Sequence, residues 1–127
     1  MANEITVNNN LAYQNPAKGI QPVNLGSNGQ QLFSIIGKNF AQGTLTTPTT
    51  AGGTLIPISN LSSLGWASFK NTDPTNYVDI LTGVGGVDIV RMYPGEPAQF
   101  RFGSGITAPA ALANTSPVLL EYLILEA

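Results

Sequence analysis

Glycine and proline set the terms of any fold this chain can adopt. Among its 127 residues are 14 glycines and 9 prolines, and they interrupt almost every stretch long enough for a typical helix. Glycine weakens a helix through backbone entropy; proline breaks one through its missing N–H and ring clash. What survives between the breaks is a series of short segments. Several alternate apolar and polar residues with period two, the signature of a strand buried on one face.

The segment EITVN places Ile5 and Val7 on one face. QLFSIIG offers Phe33 and Ile35 on one side, Leu32 and Ile36 on the other. GTLIPIS pairs Ile56 with Ile58, and Pro57 marks an edge strand or a bulge, because proline cannot donate to a ladder. GWASFKN sets Ala67 and Phe69 against Trp66, Ser68 and Lys70. NYVDIL sets Val78 and Ile80 against Tyr77 and Asp79; DIVRMY sets Val90 and Met92 against Arg91 and Tyr93. AQFRF sets Phe100 and Phe102 against Gln99 and Arg101.

The last segment, SPVLLEYLILEA, has a good helix start in Ser116 and Pro117, but only a short run follows. It is read as a strand, buried on both faces. Short strands with turn signals every 8–12 residues indicate an all-β fold, an antiparallel β-sandwich or jelly roll. Residues 8 to 31 are amide-rich with little periodicity, so an extended N-terminal arm or long loop is expected over 1–30, ahead of a sandwich over 31–127. AQGTLTTPTTAGG, 41 to 53, reads as an exposed loop or hairpin tip, and LTGVGGVD, 81 to 88, as a flexible hairpin tip.

Two turns stand out. In NTDPTNYVDI the Asp73 carboxylate can accept from a backbone N–H two residues on, while Pro74 presets the turn. The expected product is a hairpin with an Asx-type corner. The rival is a calcium site using Asp73, Asn76 and Asp79, but calcium takes six to eight oxygens and the EF-hand spacing is missing. In YPGEPAQFRF, Pro94 and Gly95 suit a type II turn that joins two paired strands, with Glu96 solvated at the corner.

Composition narrows the chemistry. With 5 basic and 7 acidic residues the net charge is −2, and only 9% of residues are charged. The polar surface is therefore built from amides, hydroxyls and glycine. Such a surface loses little hydration on contact, which suits a protein packed against neighbours; a merely neutral extracellular-type surface fits equally. The cations do not cluster, so no nucleic-acid partner is expected. No basic amphipathic helix and no long apolar run indicate a membrane partner, and the N-terminus reads as lacking a secretory leader. There is no cysteine and no histidine, which removes thiol chemistry, histidine zinc sites and the Ser-His-Asp triad. A carboxylate pair such as Asp79 with Glu121 or Asp88 is the remaining catalytic possibility, and solvated carboxylates are the preferred reading. No enzyme activity, cofactor or metal is expected. Tyr13, Trp66, Tyr77 and Tyr93 are the candidate partner-binding residues; Trp66, Tyr77, Tyr93 and Tyr122 are candidates for a sugar-stacking platform.

The succession LGWASFKNTDPTNYVDI, VRMYPGEPAQFRF and ANTSPVLLEYLILEA resembles small structural proteins of tailed bacteriophages. The likeness covers about residues 55 to 127. It implies a virion protein: a capsid decoration (cement) protein stabilising the head, often a trimeric β-sandwich, or a tail, fibre or head-spike component. The partners it implies are the major capsid protein or other virion proteins. The location it implies is the capsid surface, after synthesis in the host cytoplasm.

Overall fold

The computed structural model describes residues 5–18, 20–33 and 39–127. The chain divides into two compact units, Met1–Ile36 and Gly37–Ala127.

The first unit contains an antiparallel hairpin of β1 (Ile5–Asn15) and β2 (Ile20–Phe33), joined through a 3-10 turn at Pro16–Lys18. Residues read as a long loop or extended arm are thus paired strand. The register runs from Ile5 opposite Phe33 to Asn15 opposite Ile20, with irregularities between Asn8 and Asn10 and between Tyr13 and Asn15. Amide-rich segments carry little alternation, yet they satisfy their backbone groups in a ladder as well as any other sequence. Ile5 and Val7 are buried, as their spacing requires. Ser34, Ile35 and Ile36, part of the expected QLFSIIG strand, lie outside the described residues.

The second unit is a sandwich of two four-stranded antiparallel sheets. Its strands are β3 (Phe40–Thr47), β4 (Thr54–Leu55), β5 (Leu64–Asn71), β6 (Val78–Leu81), β7 (Asp88–Met92), β8 (Pro97–Arg101), β9 (Ala110–Ala113) and β10 (Val118–Glu126). One sheet has the order β3-β10-β5-β8 and the other β4-β9-β6-β7. First strand therefore lies beside last, second beside second-last, and so inward to the β6–β7 hairpin. This is the order of a jelly roll, one long antiparallel hairpin rolled over itself. Every connection except β6–β7 crosses from one sheet to the other.

That crossing corrects both turn readings. Residues 72–77 link β5 to β6, and residues 93–96 link β7 to β8, and in each case the two strands belong to different sheets. Each turn is real, but neither closes a hairpin. Local turn chemistry specifies a reversal of the chain without specifying whether the strands on either side share a ladder.

Alternation predicts burial well along β5 and β10. Ala67 and Phe69 are buried beneath half-buried Trp66 and Ser68. On β10, Val118, Leu120, Tyr122 and Ile124 face inward, while Leu119 is exposed. The C-terminal run is therefore a strand buried on one face, not two. Residues 41–47, expected in a loop, belong to the edge strand β3 paired with β10. Threonine supplies its strand propensity. Gly43 leaves room for the Tyr122 ring opposite: a Cβ built there would stand 3.1 Å from the Tyr122 hydroxyl.

The core fills the space between the sheets. Phe69 stacks on Phe100 at 5.8 Å between ring centroids, and Phe102 meets each edge-on, at 6.3 and 5.0 Å. Val78, Ile80, Leu120 and Ile124 are fully buried around them, each worth about 1.5–3 kcal/mol of transfer free energy. Ile56 is buried just beyond the two-residue edge strand β4, which ends before Pro57.

Candidate functional site

Connections 48–53, 72–77, 93–96 and 114–117 all leave the same end of the sandwich. Two of them, 72–77 and 93–96, are anchored by Asn71, the last residue of β5, which is completely buried. Its Nδ2 donates to the carbonyls of Asn76 (2.8 Å) and Met92 (3.0 Å). Its Oδ1 accepts from the Asp73 N–H at 2.9 Å, and its own N–H donates to the Glu96 carbonyl at 3.0 Å. One amide side chain thus ties the β5–β6 crossover to the β7–β8 crossover. Buried polar groups persist only when satisfied in this way.

Asp73 forms the expected Asx corner. Its Oδ1 accepts from the N–H groups of Thr75 (2.7 Å) and Asn76 (2.6 Å), the Thr75 hydroxyl (3.1 Å) and Asn76 Nδ2 (3.3 Å). Those bonds, the Thr75 N–H first and the Asn76 N–H next, lower its pKa below the usual aspartate value. The residues named for calcium are engaged within the protein instead: backbone N–H groups meet Asp73 Oδ1, the Thr115 hydroxyl meets Asn76 Oδ1, and Arg91 grips both oxygens of Asp79. The β9–β10 crossover joins the same construction. Thr115 donates its hydroxyl to Asn76 Oδ1 at 2.8 Å, and Thr72 donates to the Leu119 carbonyl at 2.6 Å.

The β7–β8 corner is a type II turn. Gly95 has φ +78°, and the Glu96 N–H donates to the Tyr93 carbonyl at 3.0 Å. The Glu96 carboxylate accepts in return from the Tyr93 N–H at 2.8 Å. Glu96 is exposed, as expected, but it braces the turn rather than standing idle.

Beside this end, on the outer face of the β6–β7 pair, sits a compact aromatic–guanidinium group. Asp79 lies directly opposite Arg91. Arg91 grips it with two bonds, Nε to Oδ1 at 2.7 Å and Nη2 to Oδ2 at 2.9 Å. Asp79 is buried although alternation places it outward, because the Arg91 side chain lies over it. The Arg91 guanidinium also covers the Tyr77 ring, 3.8 Å from its centroid. Tyr77 in turn meets Tyr93 edge-on, 5.9 Å between centroids at 63°. The Asp79 hydrogen bonds raise the Arg91 pKa above its ordinary value, so its charge is permanent and already answered.

The structure brings two expected contact residues, Tyr77 and Tyr93, into one patch. Trp66 stands apart: it belongs to the other sheet, half-buried and opposite Arg101 on β8. Tyr122 points into the core and leaves the set of candidates. Tyr13 lies on β1 opposite Val23, and its side chain lies outside the described residues. Asp79 and Glu121 sit on different sheets, and Asp88 is exposed at the far end of β7, so these carboxylates form no pair. Asn71, Asp79 and Arg91 were missed as site residues. A signal existed for the last two: a hairpin closed over 82–87 brings opposite charges into register. Nothing in the sequence marks Asn71.

No protein family, no curated protein and no solved structure matches this chain.

Proposed function

We propose that the protein is a non-enzymatic structural component of a virion, a decoration (cement) protein that stabilises a phage head by bridging capsid subunits. The observation that carries this reading is the convergence of the motifs behind the resemblance. Asn71 links the GW strand to the NTDPTNYV crossover and, through its N–H to the Glu96 carbonyl, to the PGE turn, and Thr72 links the crossover to the strand that carries LEYL. The segments that carry the resemblance are thus neighbours in the fold, joined by hydrogen bonds at one end of the sandwich. Three further features support it. The jelly-roll order is shared with viral capsid domains, though also with lectins. The surface carries few charges, so burial against a shell costs little. The N-terminal hairpin gives the chain a separate unit with which to engage a neighbouring subunit. The expected assembly is a trimer. Binding only to the assembled shell would stabilise that shell by mass action.

The test is genetic and physical. Particles produced without this chain should lose their DNA at lower temperature than complete particles, and adding purified protein back should restore them. Equal heat stability with and without the chain contradicts the cement reading. Deleting residues 1–30 should abolish rebinding to such particles; unchanged binding removes the hairpin from the mechanism.

A further inference from the structure

We propose that Tyr93 and Tyr77 form a docking platform for an uncharged pyranose ring, giving the protein a glycan-binding site in addition to its structural role. Tyr93 leaves 54% of its surface exposed. The ring is held rather than free. Its backbone N–H is bound by Glu96, and Pro94 follows it directly, which restricts the Tyr93 backbone. Tyr77 buttresses it edge-on, and Tyr77 is itself fixed beneath Arg91, which buried Asp79 clamps. An exposed aromatic ring with this much support is pre-organised, so a ligand pays little ordering cost on reaching it.

The chemistry of the patch selects the ligand. The electron-rich face of tyrosine attracts polarised C–H bonds, and a pyranose with equatorial hydroxyls presents its alternate axial C–H bonds on one flat face. Beside the platform stands a hydroxyl-compatible acceptor, Glu96, whose Oε2 takes the Tyr93 N–H. Among the described residues its second oxygen accepts no protein hydrogen bond, which leaves it for a sugar hydroxyl. The same carboxylate repels an acidic sugar. Arg91 offers no compensation, because Asp79 already neutralises it. The ligand is therefore a neutral, equatorially substituted pyranose.

The test is amide-resolved NMR of the full chain titrated with cellobiose, lactose, maltose and N,N′-diacetylchitobiose, with a galacturonic acid dimer as the charged comparator. At least one neutral disaccharide should produce saturable shifts at amides 73–77 and 91–96. Saturation transfer should reach the axial protons of the sugar. Tyr93→Ala should weaken binding about tenfold, which is about 1.4 kcal/mol. Tyr93→Phe should retain it, and Trp66→Ala should leave it unchanged. No saturable shift with any neutral disaccharide, shifts centred on β5 and β8, or tighter binding of the uronic acid would each overturn the proposal. Saturation transfer on the unmodified protein keeps the test decisive if Tyr93→Ala does not fold. The result is independent of the particle experiment above, so either reading can fail alone.

Discussion

The two ends of the sandwich are built by different means. At the end with connections 48–53, 72–77, 93–96 and 114–117, the links are short, and side-chain amides and carboxylates hold them, with Asn71 at the centre. At the opposite end, the connections 56–63 and 102–109 are longer and leave hollows. One, about 270 Å³, lies among Leu61, Ser62, Arg101, Phe102 and Ile106; another, about 390 Å³, lies along Ile56, Pro57, Ile58 and Thr107. One clasp there is strong: the buried Glu126 carboxylate accepts from the Ser62 N–H (3.0 Å), the Ser62 hydroxyl (2.7 Å) and the Asn39 N–H (3.2 Å). The contrast teaches where rigidity is placed. The end that carries the Tyr–Arg patch is the one whose backbone is most thoroughly pinned, as a contact site requires.

Substitutions can break this contrast in graded steps. Asn71→Ala should have the largest effect, about 2–4 kcal/mol, because it strands the buried Met92 carbonyl together with the part-buried Asn76 carbonyl and Asp73 N–H. Chemical denaturation would read the loss; a cost below that of a surface substitution would show that the crossovers stand without their anchor. Gly53→Ala comes next, at about 2 kcal/mol or more, since φ is +81° and the new Cβ would lie 2.8 Å from the Ala111 carbonyl oxygen. Gly95→Ala isolates the conformational part, about 1 kcal/mol, because its φ is +78° but nothing lies within 4 Å. Equal costs for the two glycines would contradict the close approach of β9 to the 48–53 connection. Ser62→Ala, at the other end, should cost about 1 kcal/mol, because the Ser62 N–H continues to serve Glu126.

The smallest effect is a pH dependence. The folded-state pKa of Asp73 is depressed, so its contribution is present above the unfolded value and is lost as pH falls through the lower folded value. The 72–77 crossover should therefore loosen in acid, seen as faster amide exchange at Thr75 and Asn76. Asp73→Ala should exchange quickly there at every pH. A protection profile that is flat through the acid range in the unmodified protein would refute the role of the carboxylate.

Much of the sandwich was legible because strand burial on one face writes itself into the sequence every second residue. Ala67 and Phe69, or Leu120, Tyr122 and Ile124, announce both their strands and their inward face. The Asx corner at Asp73 and the type II turn at Gly95 were legible for the same local reason. What was not legible depends on distance. Whether 72–77 closes a hairpin or crosses between sheets is decided by β10 pairing with both β3 and β5, contacts far apart in the chain. The N-terminal hairpin was hidden because amides and glycine pair through backbone alone. Asp79 was misplaced because its burial comes from Arg91, twelve residues away across the hairpin. The Tyr77–Tyr93 patch was half visible: the residues were named, but their meeting follows only from the β6–β7 register.

Cryo-electron microscopy of particles that carry this chain tests the central claim most directly. The account predicts jelly-roll density on the outside of the head, in three copies around a three-fold position and contacting more than one capsid subunit. Density confined to the tail or fibre, or head density that touches a single capsid subunit, would contradict it.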